Sequence, residues 1–378
     1  MVNITQIPAE ILSLIVQHVC QEDLYNCALV NRLFFQATTP LLWRDLQMPN
    51  DGVLVKVITT MVESRYALGQ HVRYVSSGTI AVNENEEGTV DTNIGHRPIT
   101  NIKFQQLARQ CPHLQSLRLG GSKLSHRSFT FLGRRCSQLT KLELNDLRSL
   151  SSDVLSALTA LPLEDLDLDV HILAGDASPQ WITTQQAVMD LTRFPRLNRL
   201  AIHGTPALFL HRFLTTNSNN RIRTTVSFPL LSMFVLINCS QLKDDAIIPF
   251  LCSQPGLKRL ILNGGEFTDM TLDAIIACVP GISHLSLDHT RTITSQGVRR
   301  LIKGCPSLMV VRFYNSGIKR IDFPELLADN DGDVDRNVMT DMELSFLGKD
   351  EINLIQHRTH QEDQGSKNGN NNNDDKKQ

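Results

Sequence analysis

A phrase that keeps returning constrains this 378-residue chain more than any other feature. Cys111-Pro112-His113-Leu114-Gln115-Ser116-Leu117-Arg118-Leu119 recurs as Cys136-Ser137-Gln138-Leu139-Thr140-Lys141-Leu142-Glu143-Leu144. The Leu-x-x-Leu-x-Leu core returns at Leu163/Leu166/Leu168, Leu197/Leu200/Ile202, Leu231/Phe234/Leu236, Leu257/Leu260/Leu262, Ile282/Leu285/Leu287 and Leu308/Val311/Phe313. Its first leucines step by 25 residues from 114 to 139 and from 257 to 282, then by 26 to 308. A unit this short cannot bury its own leucines, so copies must stack and share one core. Alternation within the phrase predicts a strand with its leucines inward. Runs such as Phe104–Ala108 and Leu272–Ala277 predict a helix on the outer side. The expected fold class is α/β: a curved solenoid with parallel strands on its concave face.

Departures from the period mark loops. The steps from 163 to 197 and from 197 to 231 are 34 residues each. Their excess holds Gly175-Asp176-Ala177-Ser178-Pro179 and Thr215-Thr216-Asn217-Ser218-Asn219-Asn220, both with turn chemistry. The segment 83–96 is rich in Gly, Asn and Glu and reads as another loop, and Val72-Arg73-Tyr74-Val75 reads as a degenerate first copy. Eight cysteines raise the question of disulfides or metal. None forms a C-x-x-C pair, and Cys111, Cys136 and Cys305 each precede a repeat leucine by three positions. Phe194, Phe228 and Val279 fill that register elsewhere, so the position calls for a buried apolar group. The expectation is no disulfide, no metal and no cofactor.

The amino-terminal residues follow a different rule. Ile11, Leu12, Leu14, Ile15 and Val19 recur at helical spacing behind Pro8, which suits a first helical turn. Leu24, Cys27, Ala28 and Leu29 form a second group, and Phe34, Phe35, Leu41, Leu42 and Trp43 a third. A bundle this small gains from packing onto a neighbour. That neighbour is either the end of the repeat array, which needs a cap, or another protein. The order Ile7-Pro8-Ala9-Glu10, Val30-Asn31-Arg32 with Phe34, and Leu42-Trp43 resembles the F-box, the module that joins a protein to the Skp adaptor of an SCF-type ubiquitin ligase. Ile7 stands where that family more often has Leu, and Asn31 where Cys is common. The resemblance implies adaptor contacts at Ile7, Pro8, Ile11, Leu12, Leu24, Leu29 and Val30. The repeats resemble leucine-rich repeats of the cysteine-containing subclass, found in F-box proteins and in antagonist-of-mitotic-exit-like proteins. The implied organisation is an F-box at 1–48, a helical linker at 49–69, the repeat solenoid at 70–323, an acidic loop and cap at 324–360, and a disordered Asn/Asp/Lys tail at 361–378.

Composition narrows the function classes. The chain is 41% hydrophobic and 20% charged, ordinary for a soluble protein, and contains no apolar run of membrane-spanning length. The start lacks a secretory pattern, so the expected location is cytoplasmic or nuclear. A net charge of −2 argues against a bulk nucleic-acid footprint. Asp329-Asn330-Asp331-Gly332-Asp333 suggests a calcium loop, but Leu327 and Val338 would then occupy its first and twelfth ligand positions. No catalytic constellation emerges, and no enzyme is expected. The resemblance implies a target-choosing subunit that reaches a cullin ligase through the adaptor. The alternative is a ligase-independent repeat scaffold or inhibitor whose helices cap the solenoid. Strand alternation places the residues between the leucines on the concave side. There Asp165, Asp167 and Asp169 form an acidic column, and Met233, Val235, Ile237 and Ile261 an exposed apolar patch for a protein target.

Overall fold

The computed structural model describes residues 7–78, 99–120, 124–145, 153–170, 185–219, 228–326 and 343–357. The chain forms two compact units, Met1–Phe194 and Pro195–Gln378. The expected acidic loop at 329–333, the loop at 83–96 and the tail at 361–378 lie outside the described residues.

The first unit opens with three helices, α1 (Ala9–Val16), α2 (Gln21–Ala28) and α3 (Arg32–Leu42). Their core is Leu12, Val16 and Leu24, with Leu33, Phe34, Leu41 and Leu42 packed against it. Strand and helix then alternate: β1 (Asp45–Met48), α4 (Asp51–Glu63), β2 (Tyr74–Ser77), α5 (Asn101–Gln110), β3 (Ser116–Leu119), α6 (His126–Arg135), β4 (Lys141–Leu144), α7 (Val154–Leu158), β5 (Asp165–Asp169) and α8 (Gln185–Leu191). The strands pair parallel in the register the repeats demand, with Val75, Leu117, Leu142 and Leu166 side by side. All four are buried, which is how successive repeats come to share a core. The array begins one strand earlier than the sequence reading placed it. Asp45 to Met48 pairs with Tyr74 to Ser77, so the chain passes from the helical bundle straight into the sheet.

The second unit continues the alternation: β6 (Arg199–His203), α9 (Ala207–Asn219), β7 (Met233–Ile237), α10 (Asp244–Ser253), β8 (Arg259–Asn263), α11 (Asp269–Cys278), β9 (His284–Ser286), α12 (Ser295–Gly304) and β10 (Val310–Arg312). Leu200, Phe234, Leu260, Leu285 and Val311 align across five parallel strands. The two-residue β11 (Phe346–Leu347) pairs antiparallel with β10. Such a short strand covers an edge without leaving a long new one exposed. Gly204, Asn238, Gly264, His289 and Asn315 all have φ between 54° and 76°. They occupy one repeat position just beyond the strand, where the chain turns outward through the left-handed region.

The cysteines divide by register. Cys111, Cys136 and Cys305 are fully buried, as are Phe194, Phe228 and Val279 in the same position. Burial pushes the Cys111 and Cys136 thiols up to about 12 and Cys305 to about 11. The expectation of no disulfide is corrected, because Cys252 and Cys278 are joined. They stand at the ends of α10 and α11, 26 residues apart, and one repeat step brings their Cα atoms to 4.8 Å. Neither lies in the buried register from which the other cysteines were read.

Candidate docking surfaces

The first candidate surface grows out of α1. Its sequence, Ala-Glu-Ile-Leu-Ser-Leu-Ile-Val, has more apolar positions than one face can bury. Leu12 and Val16, one turn apart, fill the bundle core. Ile11, Leu14 and Ile15 form a second stripe at the same helical spacing, and each is about half exposed. In α2, Leu24 points inward while Tyr25 is exposed, and Leu29 and Val30 just beyond it are 68% and 60% exposed. Helix α3 holds the bundle together from the far side. Asn31 caps it, its Oδ1 accepting from the Leu33 and Phe34 amides at 2.9 and 3.0 Å. The buried Thr38 and Thr39 hydroxyls donate to the Phe34 and Phe35 carbonyls at 2.7 and 2.6 Å.

Residues 4–48 match the F-box-like family model. The chain thus carries an F-box-like domain at its N-terminus, followed in each unit by parallel strands that repeat the leucine phrase. Among solved structures, a chain of the yeast Rad7–Elc1 complex is 14% identical, with a TM-score of 0.46, over 84% of this chain and 75% of that one. Internalin C2 of Listeria monocytogenes is 16% identical, with a TM-score of 0.34, over 57% of this chain and 84% of that one. No curated protein sequence matches.

Within the F-box-like domain the structure separates the seven expected adaptor contacts. Ile11, Leu29 and Val30 are exposed apolar side chains, and Pro8 is exposed at the entrance to α1. Leu12 and Leu24, 2% and 6% exposed, are core residues, and Ile7 packs partly against them. Their accessibility is therefore corrected: they belong to the bundle core beneath the exposed residues. Leu14, Ile15 and Tyr25 are also exposed and were not among the expected contacts. The excess of apolar residues in α1 was the signal for the first two. Asn31 departs from the commoner cysteine with a clear local role, since its side chain begins α3.

The second candidate surface is the strand face, which differs between the units. In the first, the charges answer one another across strands. Arg118 Nε lies 3.0 Å from Glu143, and Lys141 Nζ 3.3 Å from Asp165. Asp165 and Asp169 are half-buried and Asp167 is 8% exposed, so the acidic column is not an open one. In the second unit Met233, Ile237 and Ile261 are half-buried, but Val235 is 3% exposed. The strand register sets Ala201 and Ile261 on either side of Val235, with Met233 and Ile237 two residues along. Surrounded by apolar neighbours, it behaves as core. The expected exposed patch is thereby reduced to Met233, Ile237 and Ile261. Asp288 is committed to structure, accepting from the Tyr314 amide and the Ser286 hydroxyl, both at 2.9 Å. Among the described residues no group of three His, Cys, Asp or Glu is placed to hold a metal ion.

Proposed function

We propose that this chain is the substrate-receptor subunit of an SCF-type ubiquitin ligase, docking a Skp-type adaptor, and through it a cullin, by its F-box-like domain. The observation that carries the reading is the two-sided α1: Leu12 and Val16 already satisfy the bundle, yet Ile11, Leu14 and Ile15 remain in water. A second apolar stripe on a domain matching the F-box-like family fits a protein partner better than it fits a cap. Each anchor buried in such a contact would contribute roughly 2 kcal/mol. The repeats would hold the target, with Met233, Ile237 and Ile261 as apolar anchors. The subunit itself would perform no chemistry; it would raise the local concentration of target lysines near a charged ubiquitin-carrying enzyme. The cysteine positions and the F-box together favour the cysteine-containing, antagonist-of-mitotic-exit-like repeat subclass, working in cytoplasm or nucleus.

The test is co-purification of adaptor and cullin with the full chain. Leu29→Asp with Val30→Asp is expected to abolish adaptor recovery while leaving the circular-dichroism spectrum unchanged. Full recovery by that variant would oppose the docking face. For the target site, Met233→Glu with Ile261→Glu is expected to keep the adaptor and release proteins that cross-link to the wild-type repeats.

A further inference from the structure

The net charge of −2 hides an uneven distribution. From residue 92 to residue 142 there is no Asp or Glu, while Arg97, Lys103, Arg109, Arg118, Lys123, Arg127, Arg134, Arg135 and Lys141 supply nine positive charges. That leaves 28 Lys and Arg against all 39 Asp and Glu elsewhere, a net of −11. Such segregation points to a polyanionic partner more than to solubility.

The structure places the unneutralised part on the outer surface of α5 and α6. Arg109, Arg127, Arg134 and Arg135 are all exposed, and among the described residues none has an ion-pair partner. The helix dipole favours Arg109, Arg134 and Arg135 in their last turns, but it disfavours Arg127 in the first turn of α6. Helix stability therefore does not explain the set. Phe131 sits between two of them, its ring centroid 6.0 Å from the Arg109 guanidinium carbon and 5.6 Å from that of Arg135. Apart from this surface lie two adjoining clefts of about 290 and 580 Å³ that share Pro40 and His71, the smaller reaching Gln115 after α5. They are lined by Arg32, Arg44 and Arg73 with no carboxylate among the lining residues. Burial, and then Arg73, lower the His71 pKa.

We propose that the α5–α6 surface is a sequence-independent binding site for the phosphate backbone of nucleic acid. Ten residues of α6 span about 15 Å, the axial length of roughly four phosphates of one strand. The cations there are arginines, whose planar fork matches a phosphate, and Phe131 adds an aromatic face between them. A protein partner fits less well. Protein interfaces have an apolar centre and surfaces mix both charge signs. Here Ile102, at the opposite end of α5 from Arg109, is the only large exposed hydrophobic among the described residues of these two helices.

The experiment is fluorescence anisotropy of labelled DNA, single-stranded and duplex, each about 20 nucleotides or base pairs long, with the full chain across a salt series. Wild type is expected to bind with a log–log salt slope of about −3.5 for duplex, a loss of about a hundredfold between 50 and 200 mM salt. Replacing all four arginines by Gln should weaken binding at least tenfold and flatten the slope. Replacing them by Lys should keep most of both, which separates charge from folding, and Arg291→Gln with Lys349→Gln should change nothing. Three results would overturn the proposal: no salt-dependent binding by wild type, equal binding by the Gln variant, or equal competition by a poly-glutamate peptide of matching charge. The last would reassign the surface to an acidic protein.

Discussion

At the residue scale, neighbouring leucines in one short domain have opposite duties. Leu12 is buried in the bundle core, whereas Leu29 stands in solvent. Leu12→Asp is expected to cost at least about 3 kcal/mol through cavity and buried charge. Amide exchange within α1–α3 of the full chain should detect it, so lost adaptor binding in that variant would report misfolding. Leu29→Asp should leave the melting temperature within about 2 °C, since exposed sites rarely contribute beyond about 0.5 kcal/mol. The buried thiols give a pH prediction. Their folded pKa values, pushed by burial to about 12 for Cys111, Cys136 and Cys239, exceed the ordinary 9.0. The folded state therefore keeps protons that the unfolded state releases. The associated stability is full below pH 9 and is lost as pH rises from 9 towards 12. Urea titrations at pH 8 and pH 10 should show the midpoint falling, and Cys136→Ala should lessen the fall. A thiol reagent on the folded chain at pH 8 should label Cys20 and Cys27 ahead of the four buried cysteines.

At the scale of elements, successive repeats are tied by a device at the helix starts. The first residue of one helix accepts hydrogen bonds from the residue that caps the next. Asp244 of α10 takes the Thr268 amide at 2.9 Å and its hydroxyl at 2.6 Å. Asp269 of α11 does the same for Thr294, at 2.9 and 2.6 Å, and Asn101 of α5 takes the Ser125 amide at 2.8 Å. Asp244→Ala is expected to cost about 1–2 kcal/mol and to speed amide exchange at Thr268; unchanged protection there would refute the tie. Gly297 belongs to the same device, since a side chain at that position would meet the Asp269 carboxylate. A second tie is the Cys252–Cys278 bond on the outer ends of α10 and α11. Closing a loop of 26 residues corresponds to about 3.5 kcal/mol in the chain-entropy account. Reductant should lower the melting temperature of the wild type and leave Cys252→Ser unaffected, and a non-reducing peptide map should recover the linked pair.

At the scale of the molecule, the sequence carried the repeat plan because burial enforces it at every copy. A leucine displaced by one position would turn outward, so Leu117, Leu142 and Leu166 align as their spacing required. Other features left weaker traces. Asp45-Leu46-Gln47-Met48 has one buried leucine and no following phrase, so its place as the first strand was invisible. The burial of Val235 depends on neighbours from two other strands, which alternation along one strand does not report. The disulfide required knowing that two helix ends abut. The exposed apolar stripe was half legible: the apolar excess of α1 was countable, but the division between inward Leu12 and outward Ile11 depends on where α3 packs.

The early start of the sheet has a consequence for how such a gene can be cut and rejoined. The F-box-like match runs to residue 48, and residues 45–48 are also a strand paired along its length with β2. A breakpoint after residue 48 therefore takes the outermost strand away with the helices. The remaining array would begin at β2 with bare amide and carbonyl groups along its edge, a template for pairing with other chains. An array expressed from residue 49 onward is expected to self-associate in light scattering, and the chain that keeps both the helices and β1 to remain monomeric. The helical domain is consequently no interchangeable cassette; recombination that respects the fold must fall before residue 45, inside what sequence comparison treats as a single domain.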